Sequence, residues 1–326
     1  MKVTDLTELT TPDPGDTIYI VDNSGTPTSK RTTLGAIDSG NALMGSTGHP
    51  NAVAIHPTAN APSDDSISIG NGSAGSSMGV RSVSVGASTS VTAERAVAIG
   101  RSTVVSSIGG ISIGDSAGVQ SNNAISVGRG AFVDMNSISS IAIGLNTYIE
   151  GDSGIAIGDT ALATAANVIA IGKGASAPFI DDVSIGNGAE ATDRSGVAIG
   201  VNSLAGKFGT AIGDSARAEN WDGGVIVEYS TALGKSSEAQ GNYSTALGAE
   251  AWATGALSCA VGSGSFAPND NEGVLGGTEA WETNKWVVPG GFTTQGEVHM
   301  SNLPTTDPVV AGQIWNDAGT LKVSSG

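Results

Sequence analysis

A glycine closes a short apolar strand about every 14 residues from Gly70 to Gly276, and few architectures accommodate so short a period. The fifteen glycines are Gly70, Gly86, Gly100, Gly114, Gly128, Gly144, Gly158, Gly172, Gly186, Gly200, Gly213, Gly234, Gly248, Gly262 and Gly276. Val53-Ala54-Ile55-His56, 14 residues before Gly70, reads as a degenerate sixteenth copy with histidine in the glycine place. A repeat this short is one coil of a solenoid, which buries its apolar surface only by stacking on its neighbours. Fourteen residues are too few for a helix plus a strand, so two short strands and two turns are expected per coil. About sixteen coils stacked at ~4.8 Å would make a body roughly 75 Å long.

The residue before the glycine is Ile, Val or Leu, and the residue three before it is Val or Ile from Val53 to Val197. Between them stands almost always Ala or Ser, as at Ala98, Ser112, Ala142, Ala156, Ala170, Ser184 and Ala198. Strand alternation puts the two β-branched residues on one face and the small one on the other, and neither face carries a charge. Burial of both faces is therefore expected. Ile99, Ile113, Ile143, Ile157, Ile171, Ile185 and Ile199 are assigned to the core of the roll or of a trimer. From Thr210 onward the first position changes to Thr210, Thr231, Thr245 and Cys259, so the later coils have a more polar lining or partner. The longest interval, 21 residues from Gly213 to Gly234, carries an insertion around Trp221-Asp222 and Glu228-Tyr229. Insertions in solenoids form loops that project from one face.

Composition narrows the function. A formal charge of −17, with 14 scattered basic residues, excludes a phosphate-binding surface, so no nucleic acid partner is expected. The start of the chain lacks a secretory signal, and no apolar run approaches the ~20 residues of a membrane span, so no membrane insertion is expected. The single cysteine, Cys259, occupies a strand position and reads as a small buried hydrophobe. His49, His56 and His299 lie far apart, and no metal-ligand spacing occurs, so neither metal nor cofactor is expected. Acid pairs such as Asp64-Asp65 and Asp181-Asp182 could serve glycan hydrolysis. Turn chemistry explains them better, and the chain is read as a non-enzyme.

Three parts follow: residues 1–45, 46–276 and 277–326. The first reads as strand, turn, strand over Asp16-Thr17-Ile18-Tyr19-Ile20-Val21-Asp22, Asn23-Ser24-Gly25-Thr26-Pro27 and Thr28-Ser29-Lys30-Arg31-Thr32-Thr33-Leu34. It resembles the N-terminal modules of bacteriophage tail fibres, which implies attachment to a phage tail or capsid protein and a place on the virion. The repeats, typified by Gly154-Ile155-Ala156-Ile157-Gly158-Asp159-Thr160-Ala161 and Ser244-Thr245-Ala246-Leu247-Gly248-Ala249-Glu250-Ala251, resemble the heads of trimeric autotransporter adhesins of the YadA-like group. That resemblance implies a left-handed parallel β-roll and a homotrimer. The segment Ala311-Gly312-Gln313-Ile314-Trp315-Asn316-Asp317-Ala318-Gly319-Thr320-Leu321-Lys322-Val323-Ser324 looks like one common at the ends of phage fibres. A cell-anchored adhesin would in addition have a signal peptide, a heptad stalk and a set of barrel strands.

The fold expected is thus an all-β parallel β-roll solenoid, trimeric, with a small β module before it and a short β segment after it. The function expected is adhesion to a host cell surface, with a surface glycan or outer-membrane protein as receptor. A spacer or decorating fibre, a bacterial surface adhesin and a polysaccharide depolymerase are the alternatives. Nine of the 14 aromatic residues, including every Trp, lie after Gly213. Aromatic rings are suited to sugars and interfaces, although they also cap an open solenoid end. The receptor-binding candidates are Trp221, Asp222, Glu228, Tyr229, Tyr243, Trp252, Trp281 and Trp286.

Overall fold

The computed structural model describes residues 46–47, 49, 51–73, 79–219, 227–276, 303–309, 311 and 314–325. The strand-turn-strand expected at 16–34, the insertion residues Trp221 and Asp222, and Trp281 and Trp286 lie outside them. Two compact units divide the chain, Met1–Ala280 and Trp281–Gly326.

The described part of the first unit is an all-β parallel solenoid. Each coil has a three-residue strand, a turn, a two-residue strand and a second turn. The three-residue strands run from Val53–Ile55 to Gly273–Leu275 and stack as one 16-stranded parallel sheet, here the triplet sheet. The two-residue strands from Ser90–Val91 to Phe266–Ala267 form a facing 13-stranded sheet, the doublet sheet. Register is one repeat per coil: Ile155, Ala156 and Ile157 pair with Ile169, Ala170 and Ile171. Amide-to-carbonyl bonds of 2.8–2.9 Å link the coils, as from Gly158 to Ile143 and from Ile155 to Val168. Every residue type therefore recurs directly above its counterpart.

The glycine column makes that spacing possible. Gly158 has φ +142°, and a Cβ there would lie 2.2 Å from the carbonyl oxygen of Gly172 in the next coil. Backbone thus meets backbone, leaving no room for a side chain. In the terminal degenerate copy His56 adopts a similar φ of 120°.

The two sheets close on a core of small side chains. Ala54, Ala98, Ala142, Ala156, Ala170 and Ala198 of the triplet sheet are wholly buried, as are Val91, Val105, Val119, Val133 and Ile149 of the doublet sheet. Farther along, the doublet sheet supplies Ala163, Ala177, Ala191, Ala205, Ala218, Ala239, Ala253 and Ala267. The neighbour expected over the small-residue face is thus the opposite sheet of the same coil. At several of the Ser-bearing small positions the hydroxyl finds a partner: Ser126 Oγ donates to the Ala131 carbonyl at 2.7 Å, and Ser184 Oγ to that of Ser176 at 2.6 Å, whereas the buried Ser112 Oγ has none among the described residues.

One assignment from the sequence changes. Ile99, Ile113, Ile143, Ile157, Ile171, Ile185 and Ile199 do not form the core of the roll. They project from the outer face of the triplet sheet, half-buried or exposed, because an interior sized for Ala holds only the central residue of each triplet. Ile67, Ile99, Ile113, Ile143 and Leu233 keep 36–41% of their surface exposed. Thr210, Thr231, Thr245 and Cys259 lie on the same outer face, so the polar change affects that surface and not the interior.

In the second unit, Ile314–Asp317 and Thr320–Val323 form an antiparallel hairpin. Lys322 pairs with Asp317 and lies 5.5 Å from the centre of the Trp315 ring, so Trp315 packs within the hairpin.

The glycine column gives a direct test. Gly158→Ala should cost more than about 3 kcal/mol, because stacked backbones must move apart. Gly174→Ala, whose added Cβ meets nothing within 4 Å but keeps a φ of +63°, should cost only about 1 kcal/mol. Denaturant unfolding of both variants beside the wild type measures the difference.

Candidate functional site

Coil stacking turns sequence spacing into ladders. Residues one repeat apart meet, as in the Arg101–Asp115 ion pair and the Asn167 Nδ2 bond to Asp181 Oδ1 at 3.2 Å. The first ladder of interest lies at the turn position five residues before the glycine, where the backbone is left-handed. It holds Phe208, Tyr229, Tyr243 and Leu257, with φ between 53° and 59°. Phe208 and Tyr229 stack at 4.8 Å between ring centres, and Tyr229 and Tyr243 at 5.0 Å, with planes within 12° of parallel. Tyr229 is thus sandwiched between two rings, and what it presents outward is its edge.

The Glu228 carboxylate beside this stack forms an ion pair with Lys207, and its backbone N–H donates to Asn242 Oδ1 at 2.9 Å. The Glu228 hydrogen bond raises the Lys207 pKa, so the lysine stays charged. Glu228 is therefore used in holding the insertion to the roll. Val227 is buried and is not in a strand, while residues 225 and 226 lie outside the described residues. Arg217 and Thr192 hold Glu219 at 2.9 and 2.7 Å at the other end of the insertion.

A second ladder lies four residues after the glycine, on the outer face of the doublet sheet. Phe132 and Tyr148 stack at 6.1 Å, and the Tyr148 hydroxyl donates to Asp134 Oδ2 at 3.3 Å. Burial, reinforced by the charges of Asp134 and Glu150, raises the Tyr148 pKa. Nearer the end of the roll come Glu238, Trp252 and Phe266 in successive coils. Trp252 and Phe266 meet edge to face, with centres 6.2 Å apart and planes at 82°. They line an open groove of about 530 Å³ with Ser236, Glu238, Glu250 and Ser265.

The structure thus places Tyr229, Tyr243 and Glu228 in one cluster and Trp252 in another on a different face of the coil. Phe208 and Phe266 are the members that sequence reasoning missed. Their signal was register: both occupy the same repeat positions as aromatics already singled out.

The acid pairs are turn residues. Asp64 meets His49 at 3.0 Å, and Asp65 accepts from Asn51 Nδ2 at 2.9 Å. Asp182 is wholly buried, accepting from the backbone N–H groups of Phe179 at 2.8 Å and Gly196 at 3.1 Å. Burial pushes its pKa up to about 7, although both N–H donors act in the opposite direction. Among the described residues no group of His, Cys, Asp or Glu is arranged to hold a metal ion. No described helix is long and apolar enough to cross a membrane.

The family described as YadA head domain repeat (2 copies) matches residues 79–103, 150–175, 180–203 and 228–251. These segments lie in the coils of the solenoid, so those coils are similar to YadA head repeats. The crystal structure of the collagen-binding domain of the Yersinia adhesin YadA is similar at 17% identity, covering 77% of this chain and 93% of that one, with a TM-score of 0.19. No curated protein matches.

Asp182 sets a pH dependence. Its folded pKa of about 7 lies above the ordinary carboxylate value of about 4. Between those values the folded chain binds the more protons, so this residue's contribution to stability is full below pH 4 and is lost as pH rises through 7. Asp182→Ser places there the residue found at Ser140, whose Oγ accepts from the Gly154 N–H at 3.0 Å. The variant should be the more stable at pH 7.5, by up to about 4 kcal/mol, and should lose most of that advantage at pH 4. Unfolding curves at the two pH values decide.

Proposed function

We propose that this chain forms a homotrimeric adhesive fibre whose β-roll holds receptor-binding surfaces away from an attachment point. The observation that carries the reading is the outer face of the triplet sheet. It is an uncharged surface of Ile, Val and Leu, with Thr and Cys joining only from Thr210 onward, and it stays partly exposed along many coils of a single chain. Apolar surface of that extent is unusual on a free monomer and marks an association surface. A parallel sheet with one-repeat register offers the same row at every level, so identical chains can pack side by side along it. The match to YadA head repeats supports adhesion as the role of such a body. Three equal sites per fibre would give avidity beyond a single-site affinity.

The attachment point is proposed to be a virion. Residues 1–45 would dock on a phage tail or capsid protein, and the later coils would face a glycan or outer-membrane protein of the host. A bacterial surface adhesin is the second reading, favoured by the same head-repeat match.

Ile157→Asp tests the assembly. Three carboxylates would be buried together without partners, at several kcal/mol each, so the variant should lose the trimer. Its mass by light scattering should fall to that of a monomer, while a wild-type monomer under the same conditions would overturn the trimer. Binding of labelled wild-type protein to bacterial cells but not to animal cells would support the virion reading, and the converse would support the surface adhesin.

A further inference from the structure

The two aromatic clusters differ in what they leave open. In the parallel stack of Phe208, Tyr229 and Tyr243, each ring covers the face of the next, and a ligand would meet edges and Lys207. Exposure is similar in the two clusters, 56% for Tyr243 and 45% for Tyr229 against 46% for Trp252 and 45% for Phe266, but in the edge-to-face pair only one ring's face is met, and by a rim, so more ring face stays open to a ligand. Polar groups surround that face. Glu250 makes no side-chain hydrogen bond or ion pair to another described residue, while Glu238 accepts from Gln240 Nε2 and retains further lone pairs. Ser236 adds a hydroxyl at the rim. Among the described residues no cation lines the groove, and Arg217, the register partner of Glu238 in the preceding coil, is paired with Glu219.

We propose that this groove binds a neutral hexopyranose unit of a surface glycan, its C–H face on the Trp252 indole and its hydroxyls donating to Glu250 and Glu238. The inference rests on the adhesive reading and supplies the ligand class. Aromatic face beside hydrogen-bonding groups is the pattern of sites that orient a small ligand. A hydroxyl both donates and accepts, and so uses the two carboxylates and Ser236 together, whereas a simple cation would use the carboxylates alone. Uronic and sialic acids would bring a negative charge against two carboxylates in a chain of net charge −17, so they should be rejected. The lining comes from three successive coils, about 10 Å of roll, the reach of one or two sugar rings.

The test uses the full-length protein and its Trp252→Ala and Glu250→Gln variants on immobilised neutral mono- and disaccharides, their acidic counterparts and a lysine-rich peptide. Circular dichroism and light scattering check that each variant keeps its fold and mass. Binding of bacterial and animal cells is measured in parallel. The expected result is retention on neutral sugars only, weakened at least tenfold in Trp252→Ala and severalfold in Glu250→Gln. Equal binding of acidic sugars, or Trp252-dependent binding of the peptide alone, would overturn the proposal. Cell binding that neither Trp252→Ala nor free hexose reduces would also overturn it while leaving the adhesive reading intact. Folded wild-type protein that binds neither cells nor sugars would overturn both.

Discussion

Contact between backbones in the glycine column is the constraint on which the rest of this structure depends. Gly158 lies against Gly172, Gly172 against Gly186, and Gly186 against Gly200, with carbonyl oxygens where side chains would otherwise begin. That contact fixes the strand spacing and keeps the triplets in one-repeat register. It also makes the inter-coil hydrogen bonds almost uniform, from Gly114 bonded to Ile99 through to Gly234 bonded to Ile212. Irregularities are confined to the turns, where an extra residue disturbs no ladder. The 21-residue interval before Gly234 shows this: Thr210 still pairs with Thr231 and Ile212 with Leu233.

A coil held that tightly has an interior for Ala, Ser and a few Val, and this inverts the usual distribution of apolar residues. Among the described residues the largest wholly buried side chain is Ile149, while many larger ones stand outside. Hydrophobic burial within one chain is consequently modest per coil, and backbone hydrogen bonding carries an unusual share of the cohesion. The outer Ile and Val row is surface that association can still remove from water. A buried carboxylate such as Asp182 has little to offset its desolvation among such small neighbours. In most other coils the same place is filled by Ser, Ala, Gly or Val, as at Ser140, Ala124, Gly154 and Val168.

The solenoid was legible in the sequence because its period is a property of the backbone and survives changes at other positions. Strands were expected at the apolar-small-apolar triplets, and Ile155–Ile157 and its counterparts form them. What could not be read was which triplet face points inward, since Ala156 and Ile157 both suit burial. The interior width decides it, and that width depends on the facing strand Leu162–Ala163, whose inward residue recurs as Ala, Val or Ile in each coil but does not tell by itself which triplet face it meets. The aromatic clusters were half legible. Counting aromatics by region singled out Tyr229, Tyr243 and Trp252, whereas ordering them by repeat position would have added Phe208 and Phe266. The Lys207–Glu228 pair joins residues 21 apart, one extended coil, and only the stacked structure shows that these are neighbours.

Repetition also explains how such a body acquires a site cheaply. In a globular fold a groove needs several loops to converge, each with its own backbone path. Here the paths already coincide, and a groove follows when three successive coils carry suitable residues at equivalent positions. Glu238, Trp252 and Phe266 occupy one column, and Ser236, Glu250 and Gly264 the column two residues earlier in the coil. The second column is left-handed throughout, a conformation that suits Gly, Asn and Ser, as at Gly188, Asn202 and Ser215. Glu250 sits there at φ 57° without a turn-forming side chain to favour it. Its carboxylate bonds to no other described side chain, so the cost of that conformation is not offset by a contact within the roll. A charged residue held so, next to an exposed indole, is disposed for a partner outside the chain.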